Sequence, residues 1–212
     1  MLLILPQPEE DWYLIKRGPD KIGYVHVVTK HEGGVIVMEE TTRLKTADAD
    51  REIYYGVNLD TNFRLNEFVY KVTEAGVVNE HSYGKKEGNV FNVIKQTGGE
   101  NYSIQIPIPD DYKPMKLTFR ETAQNFKPDV TIFVTDFNPQ VLKFGKIKYV
   151  SRKKELVEIL RKKLNAFVIE EHFSEGITLR WINKNGKLLK SYTGEYDYEV
   201  VLSDEKSCKR KG

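Results

Sequence analysis

Turn-forming residues interrupt this sequence at short, nearly regular intervals, a spacing that suits a succession of β-hairpins. Gly18-Pro19-Asp20, Gly33-Gly34, Asp60-Thr61-Asn62, Gly76, Gly88, Gly98-Gly99, Gly176, Asn185-Gly186 and Gly194 supply the positive or preset φ of tight turns, and Asn-Gly is the strongest two-residue hairpin signal. Between these breaks the chain is rich in Val, Ile, Tyr, Phe and Thr, and several segments alternate with the two-residue period of a half-buried strand. Tyr102, Ile104 and Ile106 fall on one side, with Asn101, Ser103 and Gln105 on the other. Val130, Ile132 and Val134 oppose Thr131 and Thr135, and Ile177, Leu179 and Trp181 oppose Thr178 and Arg180. In each case the first set is expected to be covered and the second wet.

Strands are expected near 11–17, 21–30, 34–45, 51–59, 63–74, 77–83, 89–97, 101–106, 130–136, 143–150, 166–173, 176–183, 186–193 and 195–202. The fold class that follows is mainly β: a single large curved antiparallel sheet, a half-barrel or open barrel, with a small helical or irregular cover. In 21–30, Tyr24, Val25, His26, Val27 and Val28 break the alternation, so that strand is expected to be central or covered on its second side. No repeat of fixed period is present beyond the hairpin rhythm, which argues against propellers and solenoids. One β domain over 1–203, followed by a mobile basic tail at 204–212, is the expected organisation.

Two segments break the pattern. Residues 107–128 contain Pro107, Pro109, Pro114 and Pro128, and Met115 to Phe126 reads as a short helix or an extended arm that would supply the cover. In 151–164, Ser151 as an N-cap and Leu156, Ile159, Leu160 and Leu164 at helical spacing favour a helix on local propensity. A strand pair turning at Arg161-Lys162-Lys163 is the competing reading.

The totals narrow the function. A chain of 212 residues, 40% hydrophobic, can bury a real core as one β domain. Its 33 basic and 31 acidic residues are interspersed and leave a net charge of +2. Without a field of one sign, nucleic acid is not expected as a partner. The single cysteine, Cys208, permits no internal disulfide and no thiolate metal cluster. No apolar run approaches the ~20 residues that span a bilayer, so a membrane-spanning chain is not expected. Leu2-Leu3-Ile4-Leu5 before Pro6-Gln7-Pro8 reads as a first edge strand, a disordered end, or the remainder of a longer apolar start.

No nucleophile elbow, zinc-protease helix, phosphate loop or dinucleotide fingerprint is present, so neither catalytic residues nor a cofactor nor a metal is expected. His26 and His31, five apart on a strand and its turn, point to opposite faces, and His81 and His172 stand alone beside Glu80 and Glu171. Glu195, Asp197 and Glu199 are expected on one solvated strand face, and Asp48 with Asp50 on a loop; neither group has calcium-loop spacing. What remains is aromatic surface. Trp12, Tyr24, Phe68, Tyr70, Phe91, Tyr102, Phe133, Trp181, Tyr196 and Tyr198 lie on expected strands, where such residues are mostly core. If the apolar side lines a cavity instead, Tyr24, Phe68, Tyr70, Phe91, Tyr102, Phe133 and Trp181 are the ligand-binding candidates.

Trp12-Tyr13, Lys21-Ile22-Gly23-Tyr24, a Gly-Gly turn and a strand ending Thr42-Arg43-Leu44 resemble the start of a group of bacterial exported β domains. That group includes the β-rich segment ahead of some transglutaminase-like peptidase domains and uncharacterised periplasmic proteins. Asp136-Phe137-Asn138-Pro139, Ala166-Phe167 and Trp181-Ile182-Asn183-Lys184-Asn185-Gly186-Lys187-Leu188-Leu189 resemble its closing half. The resemblance implies a periplasmic or otherwise exported location. It also implies a strand pair at 151–164 and an architecture similar to the periplasmic lipoprotein carriers, whose curved sheet holds acyl chains under a lid. The function expected on these grounds is non-enzymatic binding of a lipid or other hydrophobic molecule in a β-sheet cavity. The alternative is an envelope protein–protein interaction or structural module, and an enzyme with scattered catalytic residues is a third reading.

Overall fold

The computed structural model describes residues 8–46, 50–112, 115–173 and 176–210, with the side chains of 115–118 left undescribed. The apolar start at 2–7, Asp48, and Lys211 and Gly212 of the tail therefore lie outside the described residues. Fourteen strands form one sheet in the order β8-β7-β6-β5-β4-β3-β2-β1-β14-β13-β12-β11-β10-β9, which does not close into a barrel because β8 and β9 lie at opposite ends. In chain order they are β1 (Glu9–Arg17), β2 (Asp20–Glu32), β3 (Val35–Lys45), β4 (Asp50–Leu59), β5 (Leu65–Glu74), β6 (Val77–Glu87), β7 (Val90–Thr97) and β8 (Glu100–Pro107). After helix α1 (Met115–Gln124) come β9 (Thr131–Asn138), β10 (Lys143–Ile159), β11 (Lys162–Phe173), β12 (Gly176–Ile182), β13 (Leu188–Thr193) and β14 (Tyr198–Ser203), then helix α2 (Glu205–Lys209). Each expected strand has a counterpart.

The chain divides into two compact units, one of residues 1–11, 25–109 and 139–143, the other of 12–24, 110–138 and 144–212. In the first, antiparallel hairpins run without a break in order from β3 to β8. Their glycine turns take positive φ, for example Gly33 and Gly34 at 56° and 84° and Gly98 and Gly99 at 59° and 82°. Alternate residues on one side of this layer, Val57, Phe68, Tyr70, Val72, Phe91 and Val93, are buried. β2 lies between β1 and β3, and its residues 24–28 are all half-buried, as its broken alternation implies.

In the second unit apolar surface lies on both sides of the sheet. On one side Phe119 and Ala123, four apart on α1, cover Val134, Tyr149, Ile169 and Ile182. The Asn185-Gly186 turn supports this helix closely: a Cβ at Gly186 would stand 2.5 Å from the Arg120 backbone nitrogen. On the other side Ile159, Ala166 and Leu189 are packed by Val157, Leu164, Trp181, Val201 and Leu202.

The two-sided core corrects the expectation for β12. Thr178 is buried and Arg180 half-buried, whereas Ile177 is 47% exposed. The Thr178–Arg180–Ile182 side is covered because α1 docks there and Glu171 pairs with Arg180, while on the other side Leu179 and Trp181 are half-buried, Trp181 against the Ile159, Ala166 and Leu189 cluster. In β9, Val134 is buried as expected, but so is Thr135, whose hydroxyl donates to Asp111 at 2.8 Å, and Val130, just ahead of the strand, is 42% exposed. On β8, Ile106 is buried but Tyr102 and Ile104 are exposed, because nothing is paired beyond this end strand among the described residues.

The segment 151–164 forms a strand pair and not a helix: β10 and β11 meet from Ile159↔Lys162 back to Lys148↔His172. The turn falls at Leu160-Arg161, overlapping the expected Arg161-Lys162-Lys163 turn only at Arg161, with φ of 51° and 62°. Ser151 caps no helix; it sits at a register shift, and its hydroxyl donates to the Lys127 carbonyl at 2.6 Å. The expected strand at 195–202 begins only at Tyr198, after a short 3-10 turn at Gly194–Tyr196 and a left-handed Asp197, so Glu195, Asp197 and Glu199 do not share a strand face.

Residues 204–210, placed by sequence in a mobile tail, carry α2. Asp204 accepts the Ser207 N–H as N-cap, and Cys208 is buried. The Lys209 ammonium stands 4.9 Å over the Trp12 ring, and the Lys21 ammonium donates to the Ser207 and Arg210 carbonyls.

Candidate functional site

The aromatic candidates fall into three environments. Phe68, Tyr70 and Phe91 belong to the first unit's buried layer at 1%, 4% and 0% exposure, with Phe68 and Phe91 edge to face at 5.9 Å. Side chains lining a void wide enough for an acyl chain would keep accessible surface. These three keep almost none, so a ligand would reach them only by displacing what packs on them. Tyr24 is half-buried against Trp12 at 5.6 Å. Trp181 is half-buried, its indole N–H donating to Glu155 and Lys190 standing 5.2 Å over its ring. Only Tyr102 at 45% and Phe133 at 70% are exposed, Tyr102 in the first unit and Phe133 in the second.

Within the first unit, Val57, Phe68, Gly84, Val93 and Ile104 are successive cross-strand partners on one face from β4 to β8. Val93 is 1% exposed and Ile104 38%, so cover is lost over the last strand. Tyr102, opposite Lys95, continues the uncovered strip, and its hydroxyl donates to Glu100. The β7–β8 pairing is regular from Val90↔Pro107 to Thr97↔Glu100. The same register includes the Ile108 N–H bond to the Asn89 carbonyl at 2.8 Å. Backbone groups of even-numbered residues on β8 therefore point to β7, and those of Asn101, Ser103 and Gln105 point to the open edge. Sequence alternation placed Tyr102 and Ile104 on the apolar side; only the strand order shows that side uncovered there.

Two depressions in the first unit are open to solvent. One, of about 340 Å³, lies at the turns around His31, Gly33, Gly34, Thr61 and Phe63. The other, of about 130 Å³, lies among Val37, Glu39, Tyr54, Asn58 and Tyr83. Phe68, on the rim of the second, is the one aromatic candidate that touches either.

In the second unit the residues under α1 make a buried polar group that sequence reasoning missed. Tyr149 donates to Glu171 Oε1 at 3.1 Å, Arg180 Nε donates to Glu171 Oε2 at 2.6 Å, and the guanidinium lies 5.7 Å from the Phe119 ring centroid. Burial, reinforced by the Glu171 carboxylate, pushes the Tyr149 phenol well above its ordinary range, although Arg180 opposes the shift. Burial does the same to Tyr112, with Asp136 adding to it. This is a satisfied ion pair under a helix, with every partner supplied by the protein. Beside it the Arg152 guanidinium, and then the His172 ring, hold the Glu170 carboxyl below its usual range. The histidines are not assembled: His172 stands 3.1 Å from Glu170, His26 stands 3.5 Å from Glu10, and His81 is opposite Lys71 on β5. Among the described residues no cluster of His, Cys, Asp and Glu is arranged to hold a metal ion, and no helix is long and apolar enough to cross a membrane.

No protein-family model and no curated protein matches this sequence. Among solved structures, the chain is similar to a β-barrel-like protein of the domain of unknown function DUF1849 from Brucella abortus. The TM-score is 0.66 at 11% identity over 96% of this chain and 98% of that one. At that identity the likeness is one of fold. A DUF1089 family protein from Pseudomonas aeruginosa, at 10% identity over 89% of this chain and 92% of that one, has a TM-score of 0.39 and carries no argument. The β-rich fold expected from sequence is thus found in a bacterial protein along nearly its whole length.

Proposed function

We propose that this chain is a non-enzymatic binding protein of the bacterial envelope that receives an extended strand of a protein partner along β8. The observation that carries the reading is the end strand itself. Its Asn101, Ser103 and Gln105 backbones face outward, and Tyr102 and Ile104 are exposed beside the buried Val93. An added strand gains main-chain hydrogen bonds from the former and apolar contact from the latter, the division of labour in strand addition. End strands are usually blunted by lysine, internal proline or a bulge. β8 has no lysine, its proline is the terminal Pro107, and its register is unbroken. The envelope location rests on the sequence resemblance to exported β domains, including those ahead of transglutaminase-like peptidase domains.

A second reading, a lipid or other small hydrophobic ligand, is favoured by the same uncovered Tyr102 and Ile104 and by the resemblance to lipoprotein carriers. One experiment separates the two. A photo-crosslinking phenylalanine analogue is placed at Tyr102 in cells, and the adduct is sized by mass spectrometry. A protein-sized adduct that Ser103→Pro abolishes supports strand addition; an adduct of lipid mass supports the second reading. Absence of any specific adduct at Tyr102 refutes both.

A further inference from the structure

A different part of the molecule carries an apolar and basic tip with no role in that reading. β11 pairs with β12 only from Phe167 onward, whereas β10 and β11 continue together to Ile159↔Lys162. The end of this hairpin is therefore a two-stranded ribbon that outruns β12. Its inner side is packed, with Ile159 and Ala166 buried against Leu189. Its outer side is bare, with Leu156 65% exposed and Lys163 exposed; at the turn Leu160 is 50% exposed and Arg161 exposed, and Lys162, opposite Ile159 at the end of the inner side, is exposed as well. Glu158, opposite Lys163, is the one carboxylate on the outer side of the tip. Leu160 and Arg161 occupy a left-handed two-residue turn, at φ of 51° and 62°, that asparagine and glycine would fill at lower cost. The chain thus spends stability to hold a leucine at the outermost point among cations.

From this geometry we infer that the β10–β11 tip docks on an anionic lipid bilayer, with Leu156 and Leu160 entering the headgroup–acyl boundary and Arg161, Lys162 and Lys163 meeting lipid phosphates. Leucine side chains gain by leaving water for the acyl boundary, and each basic residue adds attraction to an anionic surface. A nucleic acid would use the cations but gain little from two leucines, and the tip from Glu155 to Asn165 has no aromatic side chain on which bases could stack. The dock is peripheral and reversible: two leucines and three cations hold a protein at a surface without spanning it.

The test is flotation of the full chain with vesicles of phosphatidylglycerol and phosphatidylcholine, compared with phosphatidylcholine alone. The expected results are binding at least about tenfold tighter to the anionic vesicles and a decline as salt is raised. Leu160→Asn suits the left-handed turn, so it is expected to keep or raise thermal stability while weakening vesicle binding at least about threefold. Combined with Leu156→Ser it is expected to weaken binding about tenfold or more. The triple change Arg161→Gln, Lys162→Gln, Lys163→Gln is expected to abolish the preference for anionic vesicles. A Leu160→Trp chain is expected to show a blue-shifted emission, quenched by brominated acyl chains. Failure of the parent chain to float with anionic vesicles overturns the inference. So does equal binding by the leucine variants, or tighter binding of an RNA oligonucleotide that survives leucine removal. None of these outcomes bears on crosslinking at Tyr102, so the two proposals fail separately.

Discussion

Replacing Gly84 by alanine isolates one contact in the first unit's buried layer. Gly84 lies opposite Phe68, and a Cβ there would stand 2.1 Å from Phe68 Cε1, 2.6 Å from Cζ and 2.8 Å from Cδ1. Carbon atoms in contact sit about 3.5–4 Å apart, so the ring must retreat by more than an ångström. It has nowhere to go, being 1% exposed and set edge to face against Phe91, which is fully buried. Overpacking of this kind costs about 1–3 kcal/mol, and removing a strand glycine returns about 0.5–1 kcal/mol. The net expectation is a loss of about 1–2 kcal/mol, equivalent to a fall of about 2–8 °C in Tm for a chain of this size. In a Phe68→Leu background the shorter side chain vacates the space, and Gly84→Ala is expected to be neutral or slightly stabilising. Urea denaturation should be followed by far-ultraviolet circular dichroism, because Trp12 and Trp181 both report on the other unit. An equal cost of Gly84→Ala with and without the Phe68 ring would refute the packing argument.

Glu171→Ala is expected to destabilise by about 3 kcal/mol, because it strands the Arg180 charge beside Phe119 under α1, whereas Arg180→Met with Glu171→Gln should restore much of the loss in the same denaturation assay. The Tyr149 phenol titrates higher in the folded chain than in the unfolded one. Its contribution is therefore fully present below the unfolded value of about 10 and lost as pH rises above it, so Tyr149→Phe should flatten the alkaline fall in urea stability. Phe91→Ala should cost about 3–5 kcal/mol, and Phe133→Ser, at an exposed position, no more than about 0.5 kcal/mol; equal effects would contradict the burial described above. The Cys208 thiol is buried and its ionisation is pushed up by that burial. It should react with a thiol reagent far more slowly in the folded protein than in urea, and a fast native reaction would show that α2 is not docked.

Most of the strand succession was legible because its causes are local. Gly33-Gly34 and Gly98-Gly99 accept positive φ without penalty, and the β-branched and aromatic runs between them favour extended backbone. The Leu160-Arg161 turn was not legible at its true position, since neither residue advertises a left-handed conformation; pairing of the flanking strands imposes it. α2 was missed for the opposite reason. A five-residue helix has little stability alone, and the Trp12 ring, Lys21 and the burial of Cys208 supply what its sequence lacks. The aromatic candidates were chosen by type, and type does not separate Phe91 in the core from Phe133 on the surface.

By itself the sequence determined that this chain is a run of antiparallel hairpins, because turn chemistry and two-residue alternation are properties of neighbouring residues. Tertiary structure alone decided which faces are hidden, that Glu171 meets Tyr149 and Arg180, and that β8 ends the sheet with Tyr102 and Ile104 uncovered. The reason is that alternation fixes which residues share a face, whereas cover depends on what the rest of the chain brings against it. That second quantity is set by contacts between residues far apart in the chain, and no local pattern encodes it.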